Sequence, residues 1–132
     1  MTRVPWTDTG KGRRAPLLTV GLRRRGNALP VNPILLVDTG ADGIVLPRHN
    51  AKFLGFGEAE LRPEECGVPG GRIVVHRPAD ISGTEIEIGG TWLPLPSLVF
   101  ADRILHPLLG RDIIFRYFDL HMTATDFELI PV

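Results

Sequence analysis

Apolar residues in this chain come in short runs cut by proline and glycine, and inside the runs they alternate with polar residues or stand together as β-branched clusters. LLTVGLRRR (Leu17 to Arg25) reads as a strand that ends at the turn former Gly26-Asn27. ILLV (Ile34 to Val37) has no polar interruption and reads as a strand buried on both faces. TEIEIGGTWLPLPSLVF (Thr84 to Phe100) alternates at Ile86 and Ile88, turns at Gly89-Gly90 and returns along a strand that Pro94 and Pro96 mark as an edge. FDLHMTATDFELIPV predicts one more strand pair at the carboxyl end. Helical spacing is confined to two windows. PRHNAKFLGFG has Pro47 suited to a first turn, Ala51 and Leu54 three apart and Gly55 as a C-terminal cap; GRDIIFRYF sets Ile113, Ile114 and Tyr117 near one face. The expected class is all-β with one or two short helices.

Composition narrows the class of function more than it changes the fold. With 132 residues and 43% hydrophobic content the chain can bury its own core. One domain is expected over residues 15–132, after a flexible polar segment over residues 1–14. Lys plus Arg (15) equals Asp plus Glu (15), so no net field draws the protein to nucleic acid or to an anionic membrane. The basic run Arg23, Arg24, Arg25 is read as a solvated strand edge or turn. The single cysteine, Cys66, excludes an internal disulfide and a thiolate metal cluster. No apolar run approaches the length of a bilayer span, and MTRVPWTDTGKGRR lacks an apolar leader core, so a cytoplasmic protein is expected.

Several chemistries are then excluded. The only serines are Ser82 and Ser97, and neither lies in Gly-x-Ser-x-Gly. His49, His76, His106 and His121 are scattered without metal-ligand spacing, and GKGRR lacks the Lys-Ser/Thr end of a phosphate loop. Cys66 with His76 is a nucleophilic pair only if the fold joins them, and a lone cysteine otherwise packs as a small hydrophobe.

What remains is the acid that ends the apolar run. In LLVDTGADGIVLP (Leu35 to Pro47) the chain passes from buried-type residues straight to Asp38, an expensive place for a carboxylate unless it is hydrogen-bonded, shared or functional. Gly40 allows a sharp turn and brings its N–H toward that carboxylate, and Thr39 offers a hydroxyl. The same Asp-Thr-Gly occurs at Asp8 to Gly10 with no apolar strand before it, where it reads as an ordinary turn.

LLVDTGADGIVLP together with HPLLGRDIIF (His106 to Phe115) resembles the retropepsin-like aspartic proteases, single-domain relatives of retroviral proteases. In that family an apolar-apolar-Asp-Thr-Gly-Ala strand and loop is followed late in the chain by apolar-apolar-Gly and a short helix. Leu108, Leu109 and Gly110 match the apolar-apolar-Gly element, and Arg111 and Asp112 match the start of the short helix. The resemblance implies a closed β-barrel of the acid-protease type working as a homodimer, because two carboxylates must flank the attacking water and this chain offers one at that motif. Asp8 is too near in sequence to belong to a second lobe. Asp38 and its symmetry mate would form the catalytic dyad and share a proton. Thr39 would cross-link the two active loops, and Gly40 would offer its carbonyl to the substrate backbone. Ala41, which has no hydroxyl to give the dyad, implies activity at less acidic pH than pepsin prefers. Asp42 would receive substrate N–H groups and pair with Arg111, whose alternative reading is a surface ion pair of little value.

The glycine-rich ECGVPGGRIVVHRP (Glu65 to Pro78) would supply the mobile flap, with Gly70 and Gly71 at its tip, although Pro69 departs from all-glycine tips and the stretch also reads as a plain hairpin. Val45, Val68 and Ile73 would line pockets for an extended polypeptide substrate. No cofactor and no metal are implied. DFELIPV is expected as an intersubunit or barrel-closing strand, with an ordinary edge strand as the alternative. Two other readings stay open: a catalytically silent dimerisation or peptide-binding module on the same fold, and a small-ligand β-barrel.

Overall fold

The prolines that break the apolar pattern also end the strands. In the computed structural model, which describes residues 2–104 and 106–132, strands Thr2–Pro5, Val45–Pro47, Gly71–Pro78, Thr91–Pro94 and Asp126–Pro131 each stop at a proline, a residue with no N–H to give to the next rung of a ladder. The strands are therefore short, and they gather into four sheets. The largest has seven strands in the order Leu17–Thr19, Ile34–Val37, Leu108–Leu109, Val45–Pro47, Val99–Ala101, Gly71–Pro78 and Leu61–Val68. A four-stranded sheet runs Thr91–Pro94, Thr84–Ile88, Gly21–Arg24, Asn27–Ala28. A three-stranded sheet sets Asp126–Pro131 between Thr2–Pro5 and Phe118–Met122, and Thr7–Gly10 pairs with Arg13–Ala15 alone.

The β class is as expected, but the closed barrel is not found: the outer strands of the seven-stranded sheet, Leu17–Thr19 and Leu61–Val68, do not pair with each other. Strands this short cannot carry one continuous ladder around a circle, so the layers meet through side chains instead. Leu22, Ile86, Leu35, Leu46, Phe100, Ile113 and Phe127, drawn from three sheets and a helix, share one buried cluster, and Phe56 meets Phe100 edge to face at 5.7 Å.

Local readings fare unevenly. Arg111–Tyr117 is the α-helix expected from GRDIIFRYF. PRHNAKFLGFG forms the 3-10 turns Arg48–Asn50 and Lys52–Leu54 in place of an α-helix, with Gly55 capping the second at φ 82. Ile34–Val37 is not buried on both faces, because it alternates: Leu35 and Val37 are buried whereas Ile34 is 53% exposed. The turn after Gly21–Arg24 is centred on Arg25 and Gly26, at φ 49 and 87, one residue before Gly26-Asn27. Thr84–Ile88 and Thr91–Pro94 form the expected hairpin, with Thr91–Pro94 at the edge.

The basic run is a solvated turn only at Arg25, which is exposed, and is not a solvated edge at Arg23 and Arg24. Arg24 is buried, with its guanidinium 4.0 Å from the Phe56 ring and donating to Gly55 O at 3.3 Å, while Arg23 lies 3.9 Å from the Trp92 ring and bonds Glu85 Oε1 at 2.9 Å. Residues 2–14, read as loose, hold a strand and most of a hairpin. Thr2–Pro5 is too short to announce itself by alternation, and its partner Asp126–Pro131 lies at the other end of the chain. Residue 1 lies outside the described residues. Among the described residues no helix is long and apolar enough to cross a membrane.

The long hairpin of Leu61–Val68 and Gly71–Pro78 is tied down at its base by a chain of charges. His76 Nε2 meets Asp102 Oδ2 at 3.2 Å, Arg48 Nη1 donates to Asp102 Oδ1 at 3.2 Å, and Arg48 Nη2 donates to Glu58 Oε2 at 2.7 Å. The hydrogen bonds from His76 and then Arg48 hold the Asp102 carboxyl below its ordinary range. A depressed carboxyl contributes stability above its unfolded pKa and loses it as pH falls through the folded one. Thermal denaturation between about pH 5 and pH 2 should therefore show a fall in Tm that is shallower in Asp102→Asn, a variant already less stable at neutral pH.

Candidate active site

Asp38 is delivered to the surface by a strand held on both sides. Ile34–Val37 lies inside the seven-stranded sheet, antiparallel to Leu17–Thr19 and parallel to Leu108–Leu109. The Val37 N–H donates to Pro16 O and the Asp38 N–H to Leu109 O, both at 2.9 Å, so the backbone is fixed up to the acid itself. The chain then turns on the carboxylate: the Gly40 N–H donates to Asp38 Oδ1 at 2.9 Å and the Ala41 N–H to Asp38 O at 3.2 Å. Asp38 is half-buried, and Thr39 and Gly40 are exposed.

The second motif is locked into this loop. Strands Ile34–Val37 and Val45–Pro47, which flank the loop, do not pair with each other, because Leu108–Leu109 sits between them. Directly afterwards Gly110 passes so close that a Cβ there would run into Gly43 O and lie 2.7 Å from Ala41 O and from Gly43 N. Only glycine permits that approach. Helix Arg111–Tyr117 begins on the loop's carbonyls. The Arg111 N–H donates to Ala41 O and the Asp112 N–H to Asp42 O, both at 2.9 Å, satisfying donors that a helix start cannot satisfy internally. The Arg111 guanidinium also pairs with the Asp42 carboxylate through Nη2 and Oδ1. Ile113 and Ile114, both fully buried, anchor the helix in the core.

The structure thus brings together Asp38, Thr39, Gly40, Ala41, Asp42 and Arg111. Val45 comes in the next strand, half-buried and in register with Val99 and Leu108. The other expected substrate residues lie apart. Val68, Gly70, Gly71 and Ile73 surround the tip of the long hairpin, and among the described residues no hydrogen bond or ion pair joins them to the acid loop. Gly70 and Gly71, at φ 89 and 152, make the turn that the glycine-rich tip implies. Ile73 borders a recess of about 240 Å³ with Val74, Asp102 and Arg103. Cys66 is exposed on this hairpin, its Sγ 3.6 Å from Gly67 O, and forms no pair with His76, which bonds Asp102 instead.

Two residues without a distinctive sequence signal belong to the lock. A Cβ on Gly43 would collide with Ser97 Oγ, a buried hydroxyl without a hydrogen-bond partner among the described residues. Gly43 was legible only as one more turn former, and Ser97 carries no signal outside the folded chain.

No family model matches the sequence, and no curated protein matches it significantly. Solved structures do match in shape. A retropepsin-like aspartic protease from Rickettsia conorii superposes with a TM-score of 0.63 at 17% identity, over 96% of this chain and 98% of that one. The EIAV protease complexed with the inhibitor HBY-793 superposes with a TM-score of 0.53 at 23% identity, over 83% of this chain and 93% of that one. At such identities the shared property is the fold, and the chain folds as retropepsin-like aspartic proteases do.

The lock predicts an asymmetry between neighbours. Gly110→Ala should lower the stability measured by urea unfolding by at least about 2 kcal/mol, since backbone atoms must move to admit the methyl group. Arg111→Ala, which removes a half-exposed ion pair, should cost under about 1 kcal/mol in the same measurement.

Proposed function

We propose that the protein is an aspartic endopeptidase that hydrolyses peptide bonds in extended polypeptides as a homodimer. The observation that carries this reading is the state of Asp38. Its carboxylate stands at the mouth of a rigid loop, and its one hydrogen bond among the described residues comes from Gly40 of the same loop. A lone carboxylate can take a proton from the attacking water but cannot at the same moment donate one to the carbonyl oxygen under attack. A second copy of the loop, related by a two-fold axis, supplies both roles from one residue type. Water held between the two Asp38 side chains loses a proton to the ionised one as it attacks the carbonyl carbon, while the protonated one donates to the carbonyl oxygen. The tetrahedral intermediate then collapses as a proton passes to the leaving nitrogen.

The remaining residues take supporting parts in this scheme. Thr39, exposed beside the acid, reaches across the axis to the partner loop. The Gly40 carbonyl and the Asp42 carboxylate receive N–H groups of the substrate, with Arg111 holding the Asp42 carboxylate in place. The long hairpin, carrying Val68, Gly70, Gly71 and Ile73, closes over the bound strand, and Val45 lines a pocket beneath it.

Asp38→Asn keeps the shape of the loop, because an amide oxygen still accepts the Gly40 N–H, and removes the base. Peptide-library digestion across pH should show cleavage by the native chain reduced by about 10²- to 10⁴-fold in this variant, and sedimentation should give the mass of two chains. A monomer at assay concentration that cleaves nothing would sink the reading. Peptide binding without cleavage by the native dimer would point instead to a silent module.

A further inference from the structure

Strands Thr7–Gly10 and Arg13–Ala15 pair with each other and with no other strand among the described residues, and Thr7 to Arg14 are all exposed. A two-stranded hairpin without a packed face is marginal in water, so it owes its place to its two legs. One leg is fixed by Trp6, whose N–H donates to Thr125 O at 3.0 Å and whose Nε1 donates to Asp126 O at 3.1 Å. The other is fixed by Pro16, whose carbonyl accepts the Val37 N–H at 2.9 Å. The second leg determines where the hairpin stands. Leu17 is opposite Leu36 and Leu18 is opposite Leu35. The Pro16 carbonyl extends this ladder by meeting Val37, the residue before Asp38, so the hairpin leaves the sheet at the strand end that carries the acid.

Its charge is one-sided. Lys11, Arg13 and Arg14 face a single acid, Asp8, whose Oδ1 is engaged by the Gly10 N–H at 2.8 Å. Among the described residues none of the three cations has an ion-pair partner, whereas Arg3, Arg23, Arg48 and Arg77 each hold a carboxylate. The acid loop beside it carries Asp38 and Asp42 against Arg111, so it repels a negative side chain placed at the cleaved bond itself. A basic projection next to an acidic centre selects for a ligand that is neutral at the centre and acidic to one side.

We propose that the hairpin is a specificity arm, whose Lys11, Arg13 and Arg14 favour polypeptides carrying Asp or Glu to one side of the cleaved bond. This rests on the proteolytic reading of Asp38 and names the substrate class of that site. The three exposed cations act together, so the preference is on the order of tenfold at low salt and fades as salt screens it.

The test uses paired peptides that share one cleavable core and differ only in Glu or Gln, scanned outward on both sides of the cut. For the native chain kcat/KM should favour the Glu peptide on one side by on the order of tenfold, and the triple change Lys11→Gln, Arg13→Gln, Arg14→Gln should bring the ratio near one. Equal cleavage of each pair by the native chain overturns the proposal. So does a triple variant that loses both peptides equally, since the arm would then serve the second copy of the chain. Fluorescence anisotropy of the same peptides on Asp38→Asn, with and without the triple change, reads the preference through Kd. Absence of cleavage by the native chain then counts against proteolysis, while an equal Kd of Asp38→Asn for the Glu and Gln peptides counts against the arm.

Discussion

A glycine backbone pressed against another loop, with no room for a single extra carbon, sets the geometry on which the rest of this site depends. Gly110 fills the space between Ala41 and Gly43, and this contact fixes the start of helix Arg111–Tyr117 on the loop's carbonyls and the placing of Arg111 against Asp42. The same contact makes Leu108–Leu109 lie between the two strands that flank the acid loop. Asp38 is then held by a strand whose neighbours on both sides supply hydrogen bonds, with a helix behind them that Ile113 and Ile114 anchor in the core. The backbone at Asp38 is thereby fixed from both sides, and the bond from the Gly40 N–H sets the direction of its carboxylate.

The two copies of Asp-Thr-Gly separate the tripeptide's own physics from that of its surroundings. Each forms the same local turn, with the Asp8 or Asp38 Oδ1 accepting from the glycine two residues on, at 2.8 and 2.9 Å. The turn therefore distinguishes nothing. The difference lies in the strand before it and the partner after it. Asp38 comes after Leu35 and Val37, which are buried, and bonds Leu109, while Asp8 lies in a hairpin that pairs with no other strand among the described residues.

Where an interaction is set by residues close in sequence, it was legible. The helix of GRDIIFRYF, the hairpin at Gly89-Gly90, the Gly55 cap and the Asp38 turn each depend on spacing within one short window. The pairing of Asp42 with Arg111 was legible only through the resemblance of two distant motifs. Illegible features join distant residues through burial. Arg24 looked solvated because its sheltering ring, Phe56, and its carbonyl partner at Gly55 come from another part of the chain. Thr2–Pro5 looked loose because its ladder is with Asp126–Pro131. Alternation in Ile34–Val37 was hidden because the side chain on its outer face, Ile34, is apolar although exposed.

The terminal sheet constrains how two copies can meet. Asp126–Pro131, read from sequence as an intersubunit, barrel-closing or edge strand, is an inner strand with both of its ladders occupied by Thr2–Pro5 and Phe118–Met122 of its own chain. Its backbone has no free edge to offer a partner without first breaking a ladder within the chain. Under the dimeric reading a second copy that reaches this sheet has Thr2–Pro5, Phe118–Met122 or a face to meet, and not Asp126–Pro131. The exposed residues of the acid loop, Thr39 and Gly40, become a principal meeting point between copies. Dimerisation and completion of the dyad are then one event, because the surface that the two chains share is the surface that holds the two aspartates.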